Sequence, residues 1–159
     1  LNRMSNLVDD VLDLARKGQV VDDPEPVDLR GLVDKLAFQS SLDVETEGLD
    51  GAVVAADRTR LSELLSNLLE NAADHGLGPV TIGLEGDVLY VADRGPGIPP
   101  QERDRVFAPG HSSDPNGTGF GLAIVRNIAD AHGWEVSVTE SAYGGSRFEF
   151  TGLDVRFDE

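Results

Sequence analysis

The sequence predicts an α+β fold: a two-layer α/β sandwich in which a mixed, largely antiparallel sheet carries helices on one face. Alternating strand segments flank short turns, as around Glu85-Gly86-Asp87. Helical segments with leucine-rich faces lie among these strands. A loop of roughly twenty residues without apolar periodicity lies between Asp93 and Leu122, and loops of that length in compact domains are usually lids or linkers.

Composition indicates one domain with a core, since the chain has 159 residues and 40% of them are hydrophobic. No apolar run reaches the roughly 18 residues of a membrane-spanning helix, and no signal-peptide pattern is present. We therefore expect no membrane insertion. Cysteine is absent, which excludes disulfides and thiolate metal sites and fits a cytoplasmic domain.

The chain is strongly acidic, with a formal net charge of -16. Such a charge repels nucleic acids and anionic lipids, so we expect no binding to nucleic acid. Two explanations stay open. An acidic surface promotes solubility, and it also suits high salt, where screening makes like charges tolerable.

Three segments are predicted along the chain. Residues 1–17 carry apolar side chains at alternating spacings of three and four, which predicts an amphipathic helix. We interpret it as the end of a dimerising helix, cut from a longer protein; a helix packed on its own domain is the alternative. Residues 18–28, with prolines and carboxylates, form a linker, and residues 29–159 form the main domain.

Periodicity and turn residues place the elements of the main domain. Asp28 and Asp57 stand where helix caps belong. Helices are predicted at 29–39, 57–75 and 122–132. Strands are predicted at 42–46, 52–55, 80–84, 88–92, 135–139 and 146–151, with an edge strand after Gly152.

Three polar side chains follow one edge of the 57–75 helix: Asn67, Asn71 and His75. Residues four apart are neighbours on a helix, so these side chains can converge on one ligand. An amide oxygen is a hard, neutral ligand that suits Mg²⁺ held mainly by phosphates and water. The alternative is that the asparagines satisfy backbone groups.

Asp93 ends a predicted strand and begins the sequence DRGPGI. An ionised carboxylate only accepts hydrogen bonds, so a buried Asp93 would select a donor such as the exocyclic amine of adenine. Gly95 and Gly97 let the backbone pass close to a flat ring. An Asp-capped turn without a ligand is the alternative.

A second glycine-rich segment, GTGFGL at 117–122, opens a predicted helix. N–H groups at a helix start attract phosphates. No lysine follows, as the phosphate loop of P-loop proteins requires. No strand directly precedes it, as a dinucleotide-binding fingerprint requires.

Together these motifs resemble the ATP-binding catalytic domain of sensor histidine kinases. The matching segments are NLLENA at 67–72, DRGPGI at 93–98, RVF at 105–107, GTGFGL at 117–122 and GGSRFEF at 144–150. The start of the chain resembles the end of that family's second dimerisation helix. With its acidic, lysine-poor composition, the chain is most similar to histidine kinases of halophilic archaea.

The resemblance implies the ATP-binding fold shared with gyrase, heat-shock chaperone and mismatch-repair ATPases, with ATP and Mg²⁺ as cofactors. Asn71 would hold Mg²⁺ with help from Asn67, Asp93 would bind the adenine amine, and His75 would lie near ribose and phosphates. Further positions that would line the nucleotide or form a long ATP lid are Gly95, Gly97, Ile98, Phe107, Gly117, Thr118, Gly119, Gly121 and Leu122.

The resemblance also implies a chemistry. In hydrolysing relatives a glutamate at the Asn67 position activates water, and an asparagine cannot act as that base. The γ-phosphate would instead pass to a histidine. None of His75, His111 and His132 stands on a bundle helix beside an acidic residue. The acceptor would lie on a helix of the same protein or of its homodimer mate, a response regulator would receive the phosphoryl group, and this chain alone should not autophosphorylate.

Departures from the family pattern leave other functions open. Asp74 and Asp114 stand where many relatives have a basic residue near the phosphates, so a nucleotide-sensing module without transfer activity is one alternative. A serine kinase of the anti-sigma type is another, although it should lack a helix such as 1–17. A purely structural domain leaves five ordered motifs unexplained. Trp134 replaces a common glycine, with no functional explanation from the sequence.

Overall fold

The computed structural model describes residues 21, 23–40, 42–75, 79–95, 97–103, 105–107, 121–142 and 144–157. The helix predicted over 1–17 and most of the second glycine-rich segment lie outside these residues, and both stay predictions.

The elements follow the predicted order. The strands are β1 (Glu25–Asp28), β2 (Val44–Glu47), β3 (Ala52–Ala56), β4 (Val80–Glu85), β5 (Val88–Ala92), β6 (Glu135–Glu140), β7 (Ser146–Thr151) and β8 (Val155–Phe157). The helices are α1 (Leu29–Gln39), α2 (Arg58–His75) and α3 (Gly121–His132), with a short 3-10 turn at Pro100–Glu102. The α+β prediction is confirmed.

The main sheet has five strands in the order β2-β4-β5-β7-β6. Only the β2–β4 pair is parallel; the other three pairs are antiparallel. The two predicted hairpins, β4–β5 and β6–β7, are confirmed, and Gly86 takes the positive φ of 63° that the first turn needs.

A second sheet of three strands, in the order β1-β3-β8, was not predicted. The sequence suggested that the strands at 42–46 and 52–55 are neighbours across a turn, but β2 and β3 belong to different sheets. Part of the predicted linker is strand β1. Its Pro26 is tolerated because β1 is an edge strand, where a missing N–H donor matters least.

Both predicted caps are present. The Asp28 carboxylate accepts the N–H of Gly31 at 3.3 Å at the start of α1. The Asp57 carboxylate accepts the N–H of Arg60 at 3.1 Å at the start of α2. Each bond satisfies an N–H that has no partner inside the helix, so the beginnings of these helices are set locally.

The core lies on one face of the main sheet. The apolar side chains of the strands point to that face, because residues two apart share a side of a strand and the pairing register aligns them. Phe148 and Phe150 on β7 are almost fully buried, and the packed neighbours across the strands are Ile82, Leu84, Leu89, Val91, Val136 and Val138. Helices α2 and α3 pack on each other. Among the described helices, none is long and apolar enough to cross a membrane.

The opposite face of the main sheet is polar. Tyr90 covers Gly83, where an added Cβ would lie 2.5 Å from the tyrosine oxygen. The tyrosine hydroxyl donates to the Glu47 carboxylate, and the Arg147 guanidinium lies 3.9 Å from the ring centroid. Burial, followed by the bond to Glu47, raises the pKa of Tyr90 above its ordinary value. Gly83 is therefore a packing glycine that the sequence did not indicate.

Candidate nucleotide site

Asp93 lies directly after β5, a strand whose side chains are mostly buried, and is itself 6% exposed. Its Oδ1 accepts two backbone N–H groups, that of Gly95 at 3.0 Å and that of Ser146 at 2.9 Å. Its own N–H donates to the Ser146 carbonyl at 2.8 Å. Oδ2 has no hydrogen-bond partner among the described residues. One carboxylate oxygen is thus anchored, and the other is available to a ligand.

Two glycines keep the space around Asp93 free of side chains. A Cβ at Gly145 would lie 2.3 Å from both the carbonyl oxygen and Oδ1 of Asp93. Gly97 has φ +78°, and a Cβ there would lie 2.7 Å from the Gly144 carbonyl. Since real Cβ atoms do not approach so closely, the turn before β7 can pack on the DRGPGI loop only without these side chains.

The last motif contributes more to the site than the sequence indicated. The segment GGSRFEF was identified as part of the resemblance, yet no residue of it was assigned a role. In the structure, Gly145 and Ser146 form the wall behind Asp93. The available signal was the Gly-Gly-Ser run before a strand that pairs with β5.

Asn67 and Asn71 lie one turn apart on α2, and both are half-buried. The Asn67 Nδ2 atom is buried and has no hydrogen-bond partner within the described part of the chain. A buried amide without a partner is unfavourable by about 1–3 kcal/mol, so this group is suited to contact a ligand or its water. Its Oδ1 lies 4.0 Å from where a Cβ of Gly121 would be.

The start of α3 therefore adjoins Asn67. Gly121 is the first residue of α3, and of the described side chains the Asn67 amide is the one that a Cβ at Gly121 would approach, at 4.0 Å. N–H groups at such an end lack partners inside the helix and favour an anion. The predicted contribution of Gly121 to phosphate binding fits this placement. Gly117, Thr118 and Gly119 lie outside the described residues, as do Asp114 and His111.

The remaining predicted positions surround the loop that follows Asp93. Ile98 and Leu122 are half-buried and pack against the core. Phe107 is 6% exposed, and its ring meets that of Phe148 edge to face at 6.1 Å between centroids. This contact anchors residues 105–107 to β7, and a contact between Phe107 and the nucleotide stays a prediction. The side chain of His75 lies outside the description, although its backbone ends α2.

Arg103 forms a hydrogen bond within the loop that follows Asp93. Its Nε donates to the carbonyl of Ile98 at 3.0 Å. Arg105 is exposed, and Arg103 has at least one nitrogen engaged within the loop.

His132 has a structural role. Its Nδ1–H donates to the Ile128 carbonyl at 2.8 Å, and its Nε2 accepts the N–H of Asp57 at 3.0 Å, so the ring joins the end of α3 to the start of α2. Burial lowers its pKa. Trp134 stacks on this ring with 4.2 Å between centroids, which supplies the packing explanation that the sequence did not.

The described residues contain no group of three or more His, Asp or Glu side chains arranged to hold a metal ion. Any Mg²⁺ at the asparagine edge of α2 would need oxygen ligands from a bound phosphate or from water. Mg²⁺ is usually bound in that way, because it keeps part of its hydration shell.

Comparison with known proteins agrees with this geometry. The family described as histidine kinase-, DNA gyrase B- and HSP90-like ATPases matches residues 56–156. The methanogenesis regulatory histidine kinase FilI of Methanothrix harundinacea is 32% identical over 165 residues, which cover 94% of this chain and 19% of that protein. The sensor histidine kinase GtrS of Pseudomonas aeruginosa is 34% identical over 154 residues, 92% of this chain and 33% of that protein.

Solved structures give the same result. The mycobacterial sensor histidine kinase MprB has 30% identity and a TM-score of 0.70, and the match covers 83% of this chain and 95% of that one. Full-length ShkA in complex with AMPPNP has 29% identity and a TM-score of 0.78, over 96% of this chain and 36% of that one. The chain spans about a fifth to a third of the two curated relatives' length.

Asp93 with its two glycines, the asparagine pair on α2 and the start of α3 at Gly121 all lie within the matched residues 56–156. The chain belongs to the family of histidine kinase-, DNA gyrase B- and HSP90-like ATPases, as an ATP-binding domain of the sensor histidine kinase type.

Proposed function

We propose that the chain binds Mg-ATP with its adenine at Asp93 and its phosphates between α2 and the start of α3. The observation that carries this proposal is the Asp93 carboxylate, which has Oδ1 held by two N–H groups and Oδ2 without a partner among the described residues. A buried acceptor of this kind selects an N–H donor. The exocyclic amine of adenine is such a donor, and Gly97 and Gly145 allow the loops that hold the carboxylate to pack closely.

We assign the metal side of the site to Asn71, with Asn67 assisting. Mg²⁺ would neutralise phosphate charge when bound. The fit rests on the buried Nδ2 of Asn67, which has no partner among the described residues and lies on an amide beside Gly121. A half-turn of that amide exchanges its oxygen and nitrogen. His75, Gly95, Ile98, Phe107, Gly117, Thr118, Gly119, Gly121 and Leu122 complete the proposed nucleotide contacts.

The proposed reaction is phosphoryl transfer rather than hydrolysis. Asn67 lacks a basic group and cannot activate water. A histidine nitrogen outside this chain would form the bond to the γ-phosphorus, the bond to the β–γ bridging oxygen would break, and ADP would leave. His132 is not that acceptor, because both ring nitrogens are engaged. We propose a helix of the same protein or of its dimer mate as the source, and a response regulator as the onward acceptor.

Binding measurements test the site. ATP affinity is measured with and without Mg²⁺ for the wild type, Asn71→Ala and Asp93→Ala. Asp93→Ala should weaken binding under both conditions, whereas Asn71→Ala should mainly reduce the gain from Mg²⁺. Asp87→Ala, in the exposed β4–β5 turn, is the control. If neither substitution at the site lowers affinity, the assignment is wrong.

Transfer needs a separate test. Incubated alone with labelled ATP, this chain should acquire no label. In the longer polypeptide that its relatives lead us to expect, label that is acid-labile and base-stable would identify a phosphohistidine. Stable ATP binding without any label would favour a nucleotide-sensing module, which the acidic residues Asp74 and Asp114 keep open. Label on serine would favour a kinase of the anti-sigma type.

We further propose that the acidic, lysine-poor composition is an adaptation to high salt, because screening makes a surface of like charges tolerable. We also expect a cytoplasmic location.

A further inference from the structure

A buried serine lies directly behind Asp93. Ser141 follows β6 and is 4% exposed. Its hydroxyl donates to the main-chain carbonyl of Asp93 at 2.8 Å. This carbonyl lies beyond the last pair of the β5–β7 ladder, Ala92 with Arg147. The strand pairing therefore does not orient it, and the serine does.

Ser141 also closes the turn that holds the carboxylate. Its N–H donates to the Gly145 carbonyl at 2.7 Å, and the Gly144 N–H donates to the Ser141 carbonyl at 3.1 Å. Ser146, which follows Gly145, donates its N–H to Oδ1 of Asp93. Ser141 thus acts on Asp93 along two paths, directly through the carbonyl and indirectly through the turn.

We propose that Ser141 is a positioning residue that sets the direction of the Asp93 carboxylate and thereby the preference of the site for a purine with an exocyclic amine. The inference rests on the proposed ATP site. A hydrogen bond to a carboxylate depends on distance and angle. A loosened peptide plane after Asp93 would shift the Gly95 N–H that anchors Oδ1, and the free oxygen would turn away from the ring.

The test compares two nucleotides. ATP carries the 6-amine, and inosine triphosphate (ITP) has a carbonyl oxygen in its place. Ser141→Ala should lower the ratio of ATP affinity to ITP affinity by about threefold to tenfold, the range of one lost hydrogen bond. The ratio is insensitive to partial unfolding, because both nucleotides bind the same folded molecules. A purely structural serine would reduce both affinities equally.

Conservative variants separate the hydroxyl from packing. Ser141→Thr keeps the hydroxyl and should restore most of the ratio. Ser141→Cys has a similar volume and a weak donor. Its affinity ratio should lie between those of Ser141→Thr and Ser141→Ala, and it provides the measurement if Ser141→Ala does not fold. Ser137→Ala, on the exposed side of β6, should leave the ratio unchanged. Equal loss in the Thr and Ala variants overturns the proposal.

Asp93→Asn separates this inference from the function on which it rests. The new amide can present a donor to the ring, so the preference should shift towards ITP. If Asp93→Asn shifts the preference while Ser141→Ala does not, the role of Ser141 is wrong and the base contact stands. If Asp93→Asn leaves the ratio unchanged, the proposed base contact fails, and the role of Ser141 fails with it.

Discussion

At the scale of single residues, the proposed site depends on glycines, which have no side chain, as much as on Asp93. The Asp93 carboxylate is held by backbone N–H groups, which no substitution of the residues that supply them removes, except proline. Access to those groups requires close packing of two loops. Gly145 permits this contact, since any Cβ would overlap Asp93.

Gly145→Ala should therefore lower ATP affinity by about fivefold to a hundredfold, because relieving the overlap displaces the carboxylate at a cost of about 1–3 kcal/mol. Isothermal titration of ATP measures the effect. Gly86→Ala is the control: unlike Gly145, Gly86 has a positive φ, but among the described residues no atom lies within 4 Å of its would-be Cβ. It should lower the melting temperature and leave ATP affinity intact. An unchanged affinity in Gly145→Ala would contradict the site.

A second residue-scale prediction concerns His132. Its ring must be neutral to accept the Asp57 N–H, and burial lowers its pKa from an ordinary value of about 6.5. Trp134, the only tryptophan in the chain, stacks on this ring, and a charged imidazolium quenches a neighbouring indole. Tryptophan fluorescence should fall with an inflection below pH 6.5. His132→Gln should lack that inflection, and an inflection at or above 6.5 would contradict the assignment.

The sign of the stability effect follows from the same shift. Between the folded pKa and about 6.5, the unfolded chain binds more protons at this histidine than the folded chain does. Its contribution to stability is therefore complete above pH 6.5 and is lost as pH falls through the folded pKa. Chemical denaturation at several pH values should show this loss in the wild type and less of it in His132→Gln.

At the scale of elements, α2 begins with a local cap and carries the asparagines of the proposed metal site further along. Asp57 caps the helix through Arg60, and its backbone N–H ties it to His132 on α3. The asparagines that we assign to the metal lie about three to four turns further on. Cap and site should therefore be separable.

Asp57→Ala should lower the free energy of unfolding by about 1 kcal/mol, the usual effect of removing a cap. The bond to His132 survives, because it uses the backbone of residue 57. ATP affinity should stay unchanged. Asp87→Ala, in an exposed turn, is the control for the loss of a carboxylate. A parallel loss of ATP affinity in Asp57→Ala would show that the helix start and the site are coupled.

At the scale of the whole molecule, the excess of 29 acidic over 13 basic side chains opposes folding through repulsion at low salt. Surface ion pairs such as Arg94–Glu45 and Arg58–Glu25 offset little of it. Screening shortens the range of the repulsion, from about 10 Å at 0.1 M salt to about 3 Å at 1 M.

The melting temperature should consequently rise with KCl from low to molar concentration, on the order of 5 °C for a chain of this size. Sucrose, which strengthens burial without screening charge, is the control and should give a smaller rise at matched osmolality. Equal melting temperatures throughout the KCl series would contradict adaptation to salt and leave solubility as the explanation.

Local signals in the sequence determined most elements of this fold. The hairpins around Gly86 and before β7, and the caps Asp28 and Asp57, are set by neighbours within a few residues. The spacing of the two asparagines on α2 and the position of Asp93 at the end of a strand are also visible in the local sequence. These signals, in their order along the chain, also indicated the family.

Only the tertiary structure decided which strands pair across long separations. β2 joins β4 in parallel, and β3 leaves its sequence neighbour to pair with β1 and β8, because such pairing depends on burying faces that no local pattern describes. The same packing placed Ser141, Gly145 and Ser146 behind Asp93. Some fifty residues separate them from it along the chain, so their role follows from contacts that periodicity and spacing do not encode.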